Sequence, residues 1–241
     1  MTTHRGLPAL DPRLRSAASF VRPGSVCADI GTDHAYLPIF LVTAGICPSA
    51  VASDINAGPL EKARLNVEAH HLTDKITLLL ADGLDGAAPY APSDILICGM
   101  GGELIGRILD RAAIVRDPSV RLVLQPMSRP DRLRAYLSQA GFAIQDERLS
   151  QSDGKIYQCI CAAWTGVPYQ LTDAECLLGP RILAAGERGD GLFTALLHKA
   201  LAAAERRYRG RTAGSLSTER EAALLRELEK YRVGTEREWK K

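Results

Sequence analysis

The run Ser25-Val26-Cys27-Ala28-Asp29-Ile30-Gly31-Thr32-Asp33-His34-Ala35-Tyr36-Leu37-Pro38 is a strand followed by a sharp turn into a helix. Ser25 to Ile30 is short, mostly apolar and bracketed by Pro23-Gly24 and Gly31, the profile of a buried parallel strand. In a G-x-G-x-x-G dinucleotide turn, glycines let the backbone approach a pyrophosphate lying on the helix N-terminus. Here Gly31 remains, Asp33 stands in the place of the second glycine, and Ala35 is a small neutral neighbour. A carboxylate at that point repels a pyrophosphate and favours a cationic, phosphate-free nucleoside. The plainer reading makes Asp33 only a helix cap.

Outward from this turn, strand-like and helix-like segments alternate. Asp11-Pro12-Arg13-Leu14-Arg15 opens a helix ahead of the first strand, with Asp11 at the cap and Pro12 in the first turn. Further strands are expected at Ala50–Asp54, Ile76–Leu80, Asp94–Cys98 and Arg121–Gln125, separated by helices over Leu37–Gly45, Gly58–Ala69, Leu104–Val115 and Asp131–Ala140. That alternation predicts a parallel sheet with helices on both faces. The block ends differently. Phe142–Leu149 and Lys155–Trp164 are joined by Ser150-Gln151-Ser152-Asp153-Gly154, too short for a crossover helix, so they should form an antiparallel hairpin. Past Gly166-Val167-Pro168 the strand signal disappears, and two amphipathic stripes (Phe193, Leu197, Leu201, Tyr208; and Leu224, Leu225, Leu228, Tyr231) predict a helical hairpin, its second helix opened by a Thr218/Glu221 capping box. The boundaries expected are 1–166 for an α/β domain and 167–241 for a helical, coiled-coil-like one.

Composition sets the outer limits. With 241 residues, 46% of them hydrophobic and 24% charged, the chain can bury one full core and a small appendage. The opening Met-Thr-Thr-His-Arg carries no signal-like apolar core and no run reaches membrane-spanning length, so a cytoplasmic protein without a membrane partner is expected. Six cysteines (Cys27, Cys47, Cys98, Cys159, Cys161, Cys176) show no C-x-x-C spacing and read as reduced core residues, with no metal site. Charge is unevenly spread: residues 1–22 carry four Arg against one Asp, residues 23–180 carry 12 basic against 18 acidic, and residues 181–241 carry 14 against 9. Basic ends around an acidic middle suit a nucleic acid held by the flanks, and equally suit a solvated charged helix.

Ligands in doubly wound sheets bind beyond the carboxyl ends of the strands, so the residues there are read together. Asp29, Ile30, Gly31 and Asp33 form the first turn; Asp54-Ile55 closes the second strand, where an acid accepts from both ribose hydroxyls. Asp82-Gly83 follows the third, an acid for an adenine amine beside room for the ring, and Gly99-Met100-Gly101-Gly102 follows the fourth as a backbone-lined floor. Acids at three successive strand ends with a glycine-rich fourth point to S-adenosylmethionine, whose sulfonium and ammonium need carboxylates. Five parallel strands closed by a hairpin resemble the Rossmann-like seven-stranded sheet of class I methyltransferases, in which the last strand is antiparallel.

Asp29 to Pro38, together with Asp82-Gly83-Leu84, Ile97 to Gly102 and Leu124-Gln125-Pro126, resembles the TrmK family of bacterial tRNA adenine N1-methyltransferases, which modify adenine 22 of the tRNA D loop. The family tends to carry Glu where Asp54 stands. The resemblance implies S-adenosyl-L-methionine as cofactor, tRNA as partner and a C-terminal helical tRNA-binding domain, and a monomer is expected. The missing motifs agree: no D/N-P-P-Y/F/W loop for an exocyclic amine follows the fourth strand, and no Pro-Cys pair serves a pyrimidine ring. Ring N1 has an in-plane lone pair and can attack a methyl group directly once held in line. Asp33 is assigned to stabilise the cationic product and accept from the adenine amine, with His34 and Tyr36 positioning or stacking on the base. Pro38, Gln125 and Pro126 are assigned to the acceptor pocket, and Arg13, Arg15, Arg206, Arg207, Arg209 and Arg211 to the tRNA body. Competing readings are the same fold acting on another RNA, protein or small-molecule acceptor, and a non-catalytic RNA-binding protein with a vestigial pocket.

Overall fold

The structure, a computed structural model, describes residues 6–185, 191–214 and 216–238. The chain divides into two compact units, Met1–Tyr169 and Gln170–Lys241. Among the described residues no helix is long and apolar enough to cross a membrane, and no cluster of His, Cys, Asp or Glu could hold a metal ion.

In the first unit α1 (Pro12–Ala18) begins as its sequence dictates: Asp11 Oδ1 accepts from the Leu14 backbone N–H at 2.8 Å, and Pro12 occupies the first turn, where no amide partner is needed. Then follow β1 (Cys27–Ile30), α2 (Tyr36–Thr43), β2 (Ala50–Asp54), α3 (Ala57–Ala69), β3 (Ile76–Leu80), β4 (Asp94–Gly101), α4 (Gly102–Arg111), β5 (Arg121–Ser128), α5 (Pro130–Gln139), β6 (Phe142–Ser152) and β7 (Lys155–Trp164). The seven strands lie in the order β3-β2-β1-β4-β5-β7-β6. The first five are parallel, and β7 is antiparallel to both β5 and β6. The order reverses beside β1, so the crevice between the ends of β1 and β4 is the topological switch point where such sheets bind ligands. All four residues of β1 are buried, which makes it the rigid centre of the sheet.

Three local departures from the expected boundaries have physical causes. β4 and β5 run three residues beyond their apolar stretches, and a bulge at Cys98-Gly99-Met100 absorbs the mismatch, with Gly99 at φ +84. The helix expected from Leu104 starts at Gly102, a position that must be glycine because a Cβ there would lie 2.4 Å from the Arg129 carbonyl oxygen, and it ends at Arg111, with a separate 3-10 turn at Ala113–Arg116 burying Val115. The hairpin is tighter than the five-residue connection suggested. β6 continues to Ser152 and turns on Asp153-Gly154, both at positive φ, a type I′ geometry that matches strand twist.

The second unit comprises α6 (Asp173–Leu178), α7 (Pro180–Ala184), α8 (Gly191–Ala213) and α9 (Glu219–Glu238). Phe193, Leu197, Leu201 and Ala204 of α8 are buried, as are Leu224 and Leu228 of α9, so most of the predicted apolar stripes form this unit's core. Arg220 clamps Asp173 through two hydrogen bonds of 2.8 and 2.7 Å, tying α9 to the start of α6.

Candidate active site

At the carboxyl ends of β1, β2 and β4 lies a cleft of about 470 Å³, bounded by the turn Gly31 to Leu37, Asp29, Asp54, Cys98-Gly99-Met100, Met127 and, from the first helix, Asp11, Arg13 and Leu14. Its back wall is stitched by backbone: the Gly31 and Thr32 N–H groups both donate to the Ser53 carbonyl at 2.8 Å, locking the end of β1 onto β2. Gly31 adopts φ +77, and a Cβ on it would meet the Met100 ε-methyl at 2.1 Å. The glycine therefore serves both the turn and the close approach of the Met100 side chain. Thr32 is buried, and its Oγ1 accepts from the Ala35 N–H at 3.2 Å, holding Ala35 in the left-handed region as α2 begins.

The acids differ in setting. Asp29 is buried, and loss of solvation raises its pKa to about 6; a hydrogen bond from Thr32 opposes the rise, and the nearby Asp54 adds to it. Asp54 Oδ1 accepts from the Asn56 N–H at 2.7 Å, which fixes the carboxylate at the end of β2. Asp33 is 71% exposed and lies 3.2 Å from His34 Nε2. The His34 ring stacks on Tyr36 with centroids 5.1 Å apart and planes 15° apart, leaving Tyr36 44% exposed. Asn66 donates to the His34 carbonyl at 3.0 Å and steadies the turn from α3.

Of the residues predicted for the site, the cleft unites Asp29, Gly31, Asp33, His34, Tyr36, Asp54, Gly99, Met100 and Arg13. Others lie elsewhere. Ile30, Pro38 and Pro126 are buried, and Ile55 is exposed beyond β2. Gly101 packs toward Ser128, whose Oγ is 3.2 Å from where its Cβ would be. Asp82 and Gly83 border a separate hollow of about 10 Å³ with Leu84, Asp85 and Ile108, and the Asp82 carboxylate accepts from Arg111 at 2.9 Å. Gln125 is wholly buried beneath the cleft: its Oε1 accepts from Arg13 Nη1 at 2.8 Å and from the Gly99 N–H at 3.2 Å. Arg15 is exposed on α1 and donates to the Leu10 carbonyl at 3.2 Å. Arg206, Arg207, Arg209 and Arg211 are exposed on α8, in the second unit.

Sequence reasoning missed Asp11, Leu14, Thr32, Cys98 and Met127 as lining residues. Thr32 had a legible signal, a hydroxyl in the turn between the first strand and the helix that follows it. Met127 did not, since β5 was expected to stop at Gln125.

The donor set suits a zwitterionic nucleoside: carboxylates for cationic groups, a glycine-lined floor, and one guanidinium. Residues 10–160 match the methyltransferase-domain family model. The tRNA (adenine(22)-N(1))-methyltransferase of Bacillus subtilis is 36% identical over 153 residues, an alignment spanning 64% of this chain and 64% of that protein. The crystal structure of B. subtilis TrmK, described as an m1A22 tRNA methyltransferase, superposes with a TM-score of 0.77 at 30% identity, covering 95% of this chain and 98% of that one. Streptococcus pneumoniae Sp1610 in complex with S-adenosyl-L-methionine gives 0.76 at 35% identity, covering 90% and 100%. The chain therefore belongs to the methyltransferase-domain family and, within it, to the TrmK family.

Proposed function

We propose that this protein transfers the methyl group of S-adenosyl-L-methionine to N1 of adenine 22 in the D loop of tRNA, acting as a monomer in the cytoplasm. The observation that carries this reading is the cleft itself: the carboxylates of Asp29, Asp33 and Asp54 converge beside the positive-φ Gly31 at the switch point where a phosphate-binding turn would carry further glycines.

When bound, S-adenosylmethionine supplies an electrophilic methyl group on a sulfonium. In our reading Asp29 and Asp33 face its cationic end, Asp54 accepts from the ribose hydroxyls, and Gly99-Met100 forms the floor. Asp82 meets the adenine amine in this reading through the oxygen that Arg111 does not hold, or by release of that exposed pair at small cost. The acceptor N1 presents a lone pair and carries no proton, so no general base is required. Positive charge appears on the adenine as the methyl arrives, and the Asp33 carboxylate, 3.2 Å from His34 Nε2 at the edge of the cleft, stabilises it. The exposed face of Tyr36, backed by the His34 ring, offers a surface for the flipped base. Arg206, Arg207, Arg209 and Arg211 of the helical unit hold the tRNA body. Incubating unmodified tRNA with labelled S-adenosylmethionine should give one methyl per tRNA; labelling of a protein or small-molecule fraction instead would overturn the reading.

A further inference from the structure

We propose that the groove between α4 and α5, with Arg107 and Arg132 on its rim, holds the RNA backbone beside the target adenosine, a contact separate from the cleft and from the arginines of α8; it rests on the tRNA reading of function above. The groove measures about 460 Å³, and its rim also carries Glu103 and Asp110. Gly106 lets α4 lie close against the Tyr136 ring, whose Cγ is 3.4 Å from where a Cβ would be, so the two helices keep a fixed spacing under the rim. Charge singles this groove out. Arg107 and Arg132 are exposed and, among the described residues, have no ion pair or hydrogen bond. Every other arginine described in the first unit donates to a carboxylate, amide, hydroxyl or carbonyl oxygen. Two uncommitted guanidiniums on one groove suit phosphate oxygens, which the planar fork bonds in pairs. Of the two acids, Asp110 lies 3.7 Å from Arg116 Nη2, which offsets its charge. The Glu103 carboxylate is left to accept from a ribose 2′-hydroxyl, a donor that DNA lacks.

Placement ties the groove to the reaction. α4 begins at Gly102, directly after β4 ends, and α5 begins at Pro130, just past the end of β5 at Ser128. Gly101 and Ser128 are partners in the ladder, and the Arg129 carbonyl packs on Gly102 while Arg129 itself sits at φ +54, so the two strand ends are locked side by side. These same ends give the cleft its Met100 and Met127. The groove thus leads away from the cleft on the β4–β5 side, and a strand whose adenosine is turned into the cleft lays its adjoining phosphates along it.

Gel-shift titrations of the full chain with an unmodified tRNA transcript, run over a series of salt concentrations, test this. Arg107→Ala combined with Arg132→Ala should weaken tRNA binding by about tenfold and make the plot of log affinity against log salt shallower by about 1 to 2, as two lost phosphate contacts require. Arg107→Lys with Arg132→Lys keeps both charges and should keep the slope. S-adenosylhomocysteine affinity, measured by calorimetry, should stay within about twofold in both double variants, because the groove lies outside the cleft. Arg64→Ala, which removes an exposed arginine tied to Glu61 and Glu68 on α3, should leave tRNA binding unchanged. Wild-type affinity and slope in the double alanine variant, an equal loss in Arg64→Ala, or a matching loss of S-adenosylhomocysteine binding would each overturn the role of the groove. Wild-type protein that neither binds nor methylates tRNA would overturn the reading of function instead.

Discussion

Asp33 and Asp29 sit four residues apart and are given opposite physics by the fold. Asp33 is solvent-facing and anchored only by His34, so replacing it costs the fold little, within about 0.5 kcal/mol for a surface site. Its loss removes the charge that meets the methylated base, and Asp33→Ala should lower kcat by about a hundredfold or more with an unchanged circular dichroism melt. Turnover near wild type would remove Asp33 from the chemistry. Asp29 is an acid whose folded pKa is raised from 3.8 to about 6 by burial. A raised acid holds its proton longer in the native state, so its contribution to stability is greatest at low pH and declines as pH climbs from about 4 to about 6. Relative to Asp29→Asn, wild-type protein should thus lose about 2 to 3 kcal/mol of unfolding free energy between pH 4 and pH 7, from a shift of about two units. Cofactor affinity runs the other way. The carboxylate must be ionised to meet a cation, so binding should strengthen as pH rises through about 6, a step that Asp29→Asn abolishes in calorimetric titrations.

Elements hold these residues through a few buried polar ties. Arg134 of α5 is fully buried, donating from Nε to Glu147 Oε1 and from Nη2 to Gln158 Oε1, each at 2.6 Å, and so fastens α5 to the β6–β7 hairpin. Arg134→Met should cost about 3–5 kcal/mol by leaving Glu147 without its main cation, and adding Glu147→Leu should recover much of it; denaturant melts of the two variants test this. The sheet itself was legible in sequence, because β-strand runs alternate with helical ones and because the connection Ser150 to Gly154 is too short for a crossover helix and can only reverse the chain. The continuation of β4 through Gly99-Met100-Gly101 was not, since a bulge rich in glycine carries no strand propensity. Asp29, Gly31, Asp54 and Met100 could be placed in the cleft from strand-end position alone. The partners of Asp82 and Gln125 could not, because Arg111 and Arg13 are 29 and 112 residues away in the chain.

At the scale of the whole molecule, charge and core follow the two units. The first carries the acidic middle of the sequence and the cleft, while the second buries its own Leu and Phe stripe and exposes the arginines of α8. That separation predicts that residues 1–169 alone bind S-adenosylmethionine with affinity close to that of the full chain but bind tRNA much more weakly, by about tenfold or more if several phosphate contacts are lost. Gel-shift and calorimetric titrations of the two forms check it, and equal tRNA affinity would remove the docking role from the helical unit. The account stands or falls on which atom receives the methyl group. Nucleoside mass spectrometry of a defined tRNA transcript after reaction should find 1-methyladenine at position 22 and nothing in a transcript with guanine there; a methyl group on any other base or atom, or in both transcripts, would contradict it.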